Sequence, residues 1–208
     1  MKFDRCKKLL SKFDILQKLN ILICGVGGVG GYALDCLYRS GVKNITIIDY
    51  DIFDITNQNR QIGSEFVGEK KTDVLARIYK GIKTIDLKLN CENIKEINFK
   101  KYDIVIDAID DLNAKICLIK KAYPKIISSM GAAKRVDPTK IRIDSIWKTN
   151  TDPFAKKIRD RLKKDNFKGD FKVVYSIEKP INCDMGSFVG VTGAFGFALC
   201  SEIVKDFV

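Results

Sequence analysis

A doubly wound α/β sheet is the fold this sequence predicts, on three observations. An apolar run, Ile21–Cys24, leads into a cluster of five glycines within residues 23–31, and a helix-periodic stretch follows. Further β-branched runs, at 44–49, 102–110 and 125–130, alternate with helical ones, an order that implies a mostly parallel sheet covered on both faces. The chain has 208 residues, 46% of them hydrophobic, which is enough for one substantial core.

Each element follows in order. Residues 1–20 read as a helical N-terminal segment with scattered charges and without the continuous apolar stretch of a signal peptide. Ile21–Cys24 is a strand, Tyr32–Arg39 a helix closed by Gly41, and "NITIID" at 44–49 a second strand, together a βαβ unit. After a polar loop come a helix over Thr72–Tyr79, a strand near Leu87–Cys91, a buried parallel strand in "YDIVIDAID" (102–110), a helix in "AKICLIKKAY" and a strand in "KIISSM". These form a nucleotide-binding half, residues 21–131. Residues 132–208 complete the sheet, with a strand in "TKIRIDSIW" (139–147), a charged helix over Pro153–Lys164, a strand in "FKVVYSI" and a closing helix. That helix falls in Met185–Ser201, which is uncharged, carries Gly186, Gly190, Gly193 and Gly196, and is short for a membrane span. A buried, closely packed helix and no membrane crossing are expected, and residues 1–208 read as a single domain.

The chain carries 37 Lys and Arg against 26 Asp and Glu, no His, and a formal charge of +11. Such a field attracts polyanions, so nucleic acid is one partner class; a solubilising lysine-rich surface is the other reading. Seven cysteines, an odd number without any C-x-x-C pair, read as reduced, mostly buried thiols of a cytoplasmic protein.

Gly25, Gly27 and Gly30 satisfy G-x-G-x-x-G between strand and helix, where backbone amides and a helix N-terminus can meet a phosphate. Asp49 closes the second strand, placed for a ribose hydroxyl. On that fingerprint NAD, FAD and ATP all remain open. The segment "DYDIFDITNQNRQIGSEFVGEKK" then supplies Asp51, Asn57, Asn59, Arg60, Lys70 and Lys71. A dehydrogenase has no need of that cationic cluster, whereas an enzyme that splits a triphosphate uses Arg or Lys against the charge that builds on its phosphates. Asp110, at the carboxyl end of "DIVIDAID", stands where a carboxylate would hold Mg2+ against those phosphates.

"GVGGVGGYALDCLYRSGV", "IDYDIFDITNQNRQ", "VGEKK" and "VIDAIDD" resemble, in order, the adenylation domain of ubiquitin-activating-type enzymes, the ThiF/MoeB/HesA superfamily. The later segments "SSMGAAKRVDPTKIRIDSIWKTNTDPFAKKIRDRLKK", "VVYSIEKP" and "GSFVGVTGAFGFALCSEIV" are similar to a tRNA-modifying branch, the bacterial tRNA threonylcarbamoyladenosine dehydratases. The resemblance implies a Rossmann-like adenylation fold with additional C-terminal strands and a closing helix. It implies ATP cradled by Gly25, Gly27, Gly28 and Gly30, ribose on Asp49, phosphates on Asn57, Arg60 and Lys71, and Mg2+ on Asp110. Lys70 stands where relatives carry Pro or a small residue, so either Lys70 or Lys71 faces the phosphates. Arg5 matches an arginine that reaches a partner subunit's ATP site, which implies a homodimer, and accessory sulfur-transfer proteins are possible partners.

The implied reaction is attack of a threonyl carboxylate on the α-phosphate of ATP, then ring closure by the neighbouring carbamoyl group with loss of AMP. A tethered nucleophile needs neither a general-base His nor a thioester Cys. Cys183, in a polar loop, is the one candidate for the latter, and a bystander role is expected. The missing C-x-x-C pairs give no reason to expect zinc. The basic run Lys156–Lys164 would grip phosphates on a tRNA enzyme, and would otherwise be a solvated face. Two rival functions stay open: activation of the C-terminus of a ubiquitin-like or sulfur-carrier protein, and a NAD-dependent oxidoreductase or nucleotide sensor.

Overall fold

A computed structural model describes residues 2–208. Two short N-terminal helices, α1 (Asp4–Leu9) and α2 (Phe13–Leu16), precede β1 (Asn20–Cys24), α3 (Gly30–Arg39), β2 (Asn44–Asp49), α4 (Lys71–Ile78) and β3 (Lys83–Asp86). Then follow β4 (Ile104–Asp107), α5 (Leu112–Ala122), β5 (Ile126–Ser129), β6 (Ile141–Ser145), α6 (Pro153–Lys164), β7 (Lys172–Ser176) and α7 (Val189–Val204). The strands form one seven-stranded sheet in the order β3-β2-β1-β4-β5-β7-β6. Every neighbouring pair is parallel except β6 and β7, so the doubly wound, mostly parallel fold is as expected.

Side-chain alternation along the strands builds a core on each face. Ile21 and Ile23 of β1 join Ile45, Ile47 and Ile106 against Leu34, Leu37, Leu75, Phe195 and Leu199 of α3, α4 and α7. Leu22 and Cys24, pointing the other way, join Ile48 and Val105 against Leu118, Ile119, Ile158 and Leu162 of α5 and α6. Burial within that second core pushes the Cys24 thiol well above its ordinary range, so it stays neutral.

The glycine-rich closing helix packs closely, as its sequence implies. A Cβ on Gly196 would stand 2.5 Å from the Val29 carbonyl oxygen, so α7 can lie directly on the start of α3. The α7 helix is 16 residues long, and among the described residues no helix is long and apolar enough to cross a membrane.

Two expectations are corrected. The third strand covers Lys83–Asp86, not Leu87–Cys91. Its partner β2 ends at Asp49 in register with Asp86, and beyond Leu87 the Asn90 side chain turns the chain by accepting from Glu92 and Asn93 N–H, while Leu87 and Leu89 pack on the second core. The cysteines, expected reduced, include two disulfides, Cys36–Cys200 and Cys91–Cys117; Cys6, Cys24 and Cys183 are free. Close packing of α7 on α3 brings Cys36 and Cys200 face to face with Cα atoms 6.1 Å apart across 164 residues of sequence, a relationship that spacing cannot reveal.

Candidate nucleotide-binding site

Strands β2 and β3 lie to one side of β1 and β4 to the other, so the crevice at the carboxyl ends of β1 and β4 is the topological switch point, where open α/β sheets bind ligands. The glycine turn occupies one wall. Gly25 has φ of +84°, and a Cβ there would lie 2.8 Å from the Ala108 carbonyl oxygen, so only glycine lets the β1 and β4 exits approach this closely. Asp49 braces the turn: its Oδ2 accepts from Val26 N–H at 2.7 Å and its Oδ1 from Asp51 N–H at 2.9 Å.

Beyond Val26 the turn presents bare backbone. The N–H groups of Gly27, Gly28 and Val29 have no acceptor among the described residues, and Val29, which precedes α3, gives it no side-chain cap. Three free donors at the positive end of a ten-residue helix form an anion seat. A Cβ on Gly28 would crowd Arg60 Cγ at 3.2 Å, and one on Gly27 would meet Gln61 Nε2 at 3.6 Å. The absent side chains are therefore the space between the turn and Arg60–Gln61, and this donor set fits the phosphates of ATP.

The opposing wall is the polar loop, held by buried Phe53. Asp54 caps a single turn at 55–57, accepting from Thr56 N–H, while Asn57 Oδ1 accepts from Asp54 N–H at 3.2 Å. Arg60 donates to Thr56 O at 2.9 Å and to Asn59 Oδ1 at 2.8 Å, and Asn59 Nδ2 donates to Ser187 O at 3.0 Å, tying this loop to the segment before α7. Lys71 and Lys70 diverge at the start of α4. Lys71, its side chain 5% exposed, places Nζ 2.9 Å from Asp51 Oδ2; Lys70, 53% exposed, pairs with Asp86 beside the sheet edge.

At the end of β4, Asp107 and Lys115 form a fully buried ion pair of 2.7 Å. Lys115 also donates to Ile109 O at 2.9 Å, and Ser128 donates to the second Asp107 oxygen at 2.5 Å. Burial pushes the Asp107 carboxyl up, while Lys115, Ser128 and the Ile109 N–H draw it back. This strut, through Lys115 on the Ile109 carbonyl, fixes the turn before exposed Asp110, and Asp111 then caps α5 by accepting from Ala114 N–H at 2.7 Å.

The structure thus brings the glycine turn, Asp49, Asp51, Arg60 and Lys71 together by direct or shared contacts. Asn57 and Asn59 belong to the loop that carries Arg60, Gly25 abuts Ala108 and Ile109, the residues before exposed Asp110, and Lys70 pairs with Asp86. Arg5 is apart from them: Cys6 beside it on α1 contacts the Arg39 carbonyl oxygen, at the far end of α3 from the glycine turn. Among the described residues no group of three or more His, Cys, Asp or Glu could hold a metal ion by itself.

Sequence reasoning missed three participants. Gln61 closes the "TNQNRQ" run, and its Oε1 is buried without a partner among the described residues; its place directly after Arg60 was the available signal. Lys115 sits in a helix-periodic stretch that reads as ordinary surface. Arg135, buried with Asp152 at 3.5 Å, donates to the carbonyl oxygens of Gly131, Ala133 and Glu178, and Asp152 accepts from Gly131 N–H at 3.1 Å while capping α6. Nothing in the run "GAAKR" announced that buried arginine.

The description "ThiF family" matches residues 10–205. The tRNA threonylcarbamoyladenosine dehydratase of Bacillus subtilis is 39% identical over 86% of this chain and 76% of its own length. Among solved structures, the E. coli tRNA N6-threonylcarbamoyladenosine dehydratase TcdA in complex with ATP superposes with a TM-score of 0.90 at 31% identity, over 99% of this chain and 93% of that one. The same E. coli protein in complex with AMP gives a TM-score of 0.91. With family match, relatives and fold in agreement across nearly its whole length, this chain belongs to the ThiF family.

Proposed function

We propose that the chain is an ATP-dependent enzyme that dehydrates and cyclises N6-threonylcarbamoyladenosine at position 37 of tRNA. The observation that carries this reading is the seat of free Gly27, Gly28 and Val29 amides opposite Arg60, with Lys71 on the same crevice, in a chain whose relatives bear that name. When bound, ATP supplies an electrophilic phosphorus and a route to a good leaving group. The threonyl carboxylate oxygen bonds to the α-phosphorus as the bond to pyrophosphate breaks. The neighbouring carbamoyl group then bonds to the acyl carbon, AMP departs with the electron pair of the broken C–O bond, and ring closure sheds a proton. Because the second nucleophile is tethered, its effective concentration replaces a second substrate.

Within this scheme the glycine turn and α3 hold phosphate, and Arg60 and Lys71 answer the charge that grows on the α-phosphate and pyrophosphate. Asp49 takes ribose, and Asp51 and the amides of Asn57 and Asn59 position the cations and the loop. Asp110 would hold Mg2+ as a single carboxylate beside phosphate oxygens and water, the usual way that ion is bound at nucleotides. Arg5, remote from its own crevice, would serve the crevice of a second copy in a homodimer. The enzyme would act in the cytoplasm, with accessory sulfur-transfer proteins as further partners.

The test measures AMP and pyrophosphate release from ATP with tRNA bearing threonylcarbamoyladenosine and with the same tRNA lacking it. Release that requires the modified base supports the proposal. Release that requires the C-terminus of a ubiquitin-like or sulfur-carrier protein instead would replace it with the activating-enzyme reading.

A further inference from the structure

The outer face of α6 carries a charge that the crevice chemistry leaves unused. Between residues 153 and 172 stand eight Lys or Arg and three Asp. The acids are partly occupied: Asp165 pairs with Lys120 and Arg161, and Asp170 accepts from Ser145. Arg159 turns inward to Thr149. Lys156, Lys157, Lys163, Lys164 and Lys168 are exposed, and none has a carboxylate at ion-pair distance among the described residues. Lys156 and Lys163, and likewise Lys157 and Lys164, are seven residues apart, so they form two rows along the helix with Asp160 the one acid between them.

Those rows have a fixed origin. Asp152 caps α6 and accepts from Gly131 N–H just past β5, and β5 lies beside β4, whose exit carries Asp110. The helix therefore starts at the rim of the crevice and leads away from it for about 18 Å, at about 1.5 Å for each of its 12 residues. The opposite face, Ala155, Ile158 and Leu162, is buried in the core. An interfacial membrane helix needs its apolar face free to enter lipid, and this one has none to offer. Lysines in rows, without an apolar partner face, suit a solvated polyanion.

We propose that this face of α6 is a docking strip for the phosphate backbone of the RNA whose modified base enters the crevice, an inference that rests on the function proposed above. The strip holds the nucleic acid by its phosphates and so adds affinity without reading sequence. The rim contact through Asp152 and Arg135 sets where along the RNA the base is presented.

The experiment measures binding of labelled tRNA bearing threonylcarbamoyladenosine at about 50 to 200 mM salt, together with AMP release. It compares the natural protein, Lys156→Glu/Lys157→Glu/Lys164→Glu, the milder Lys→Gln triple at the same sites, and a control Lys80→Gln/Lys83→Gln/Lys95→Gln of equal charge change to the milder triple. Expected are a roughly tenfold or greater loss of tRNA affinity for the Glu triple and a smaller loss for the Gln triple. The slope of log affinity against log salt should become shallower by about 2 to 3, at about 0.7–0.9 for each phosphate no longer neutralised. The KM for tRNA rises while kcat and ATP affinity hold, and the control matches the natural protein. Affinity and slope unchanged in both α6 triples, or changed equally in the control, would overturn the docking strip while leaving AMP release by the natural protein intact. Absence of tRNA binding and of tRNA-dependent AMP release in the natural protein would instead sink the proposed substrate, and the strip with it.

Discussion

Lys71 Nζ lies 2.9 Å from Asp51 Oδ2 with its side chain almost wholly buried, while its neighbour Lys70 reaches out to Asp86. Adjacent lysines at a helix start thus face different surroundings, and the ammonium of Lys71 is the one desolvated beside the crevice. On the proposed function, Lys71→Met lowers AMP release about 10²- to 10³-fold, the range for removing one preorganised donor to developing charge. Lys70→Met, an exposed pair, changes it by less than about threefold. Single-turnover kinetics with the modified tRNA checks both, and equal losses would remove the distinction.

Arg60→Ala removes the side chain that the missing Cβ of Gly28 makes room for. It should cut release of both AMP and pyrophosphate by about 10²-fold or more with melting temperature little changed. Isotope-traced pyrophosphate exchange reads adenylation alone, and full exchange with blocked AMP release would move Arg60 to the second step.

Lys115→Met strands a buried carboxylate at Asp107. The expected cost is about 3–5 kcal/mol, the usual penalty for breaking a buried pair from one side, or a melting temperature lower by roughly ten degrees for a chain of this size. Adding Asp107→Leu removes the orphaned charge and should recover part of that loss. A double variant as unstable as the sum of its singles would contradict the strut, since paired groups couple.

Reduction of Cys36–Cys200 releases a loop of 164 residues of separation and should lower stability by about 2–4 kcal/mol. Peptide mapping without reductant should recover Cys36 linked to Cys200, and Cys91 linked to Cys117. Cys183 is free and exposed, so Cys183→Ser should leave both adenylation and ring closure at natural rates; loss of ring closure alone would assign it a covalent role.

The sheet was legible because its signals are local. Ile21 to Cys24 could be recognised as a strand from its own residues, and the glycines from their position after it. The edge strand β3 was displaced because its start and end follow the register with β2, which stops at Asp49 opposite Asp86, and that pairing is set by another element. The crevice was legible to the extent that its residues lie in three short runs, after β1, after β2 and after β4. Lys115 and Arg135 were invisible for the opposite reason: each is a charged residue whose burial depends on a partner, Asp107 or Asp152, supplied by another element. The disulfides share that cause, since helix packing rather than spacing unites the sulfurs.

The contact of Gly196 with the Val29 carbonyl has a consequence for how the chain is made. Residues 25–30 hold every glycine of the anion seat, yet α3, which frames it, is covered by α7, more than 150 residues further along the chain. During synthesis the apolar side of α3 that meets Phe195 and Leu199 stays open until α7 emerges, so the frame of the nucleotide seat is completed only then. A fragment ending at Gly131 would therefore expose that apolar face and aggregate instead of binding nucleotide.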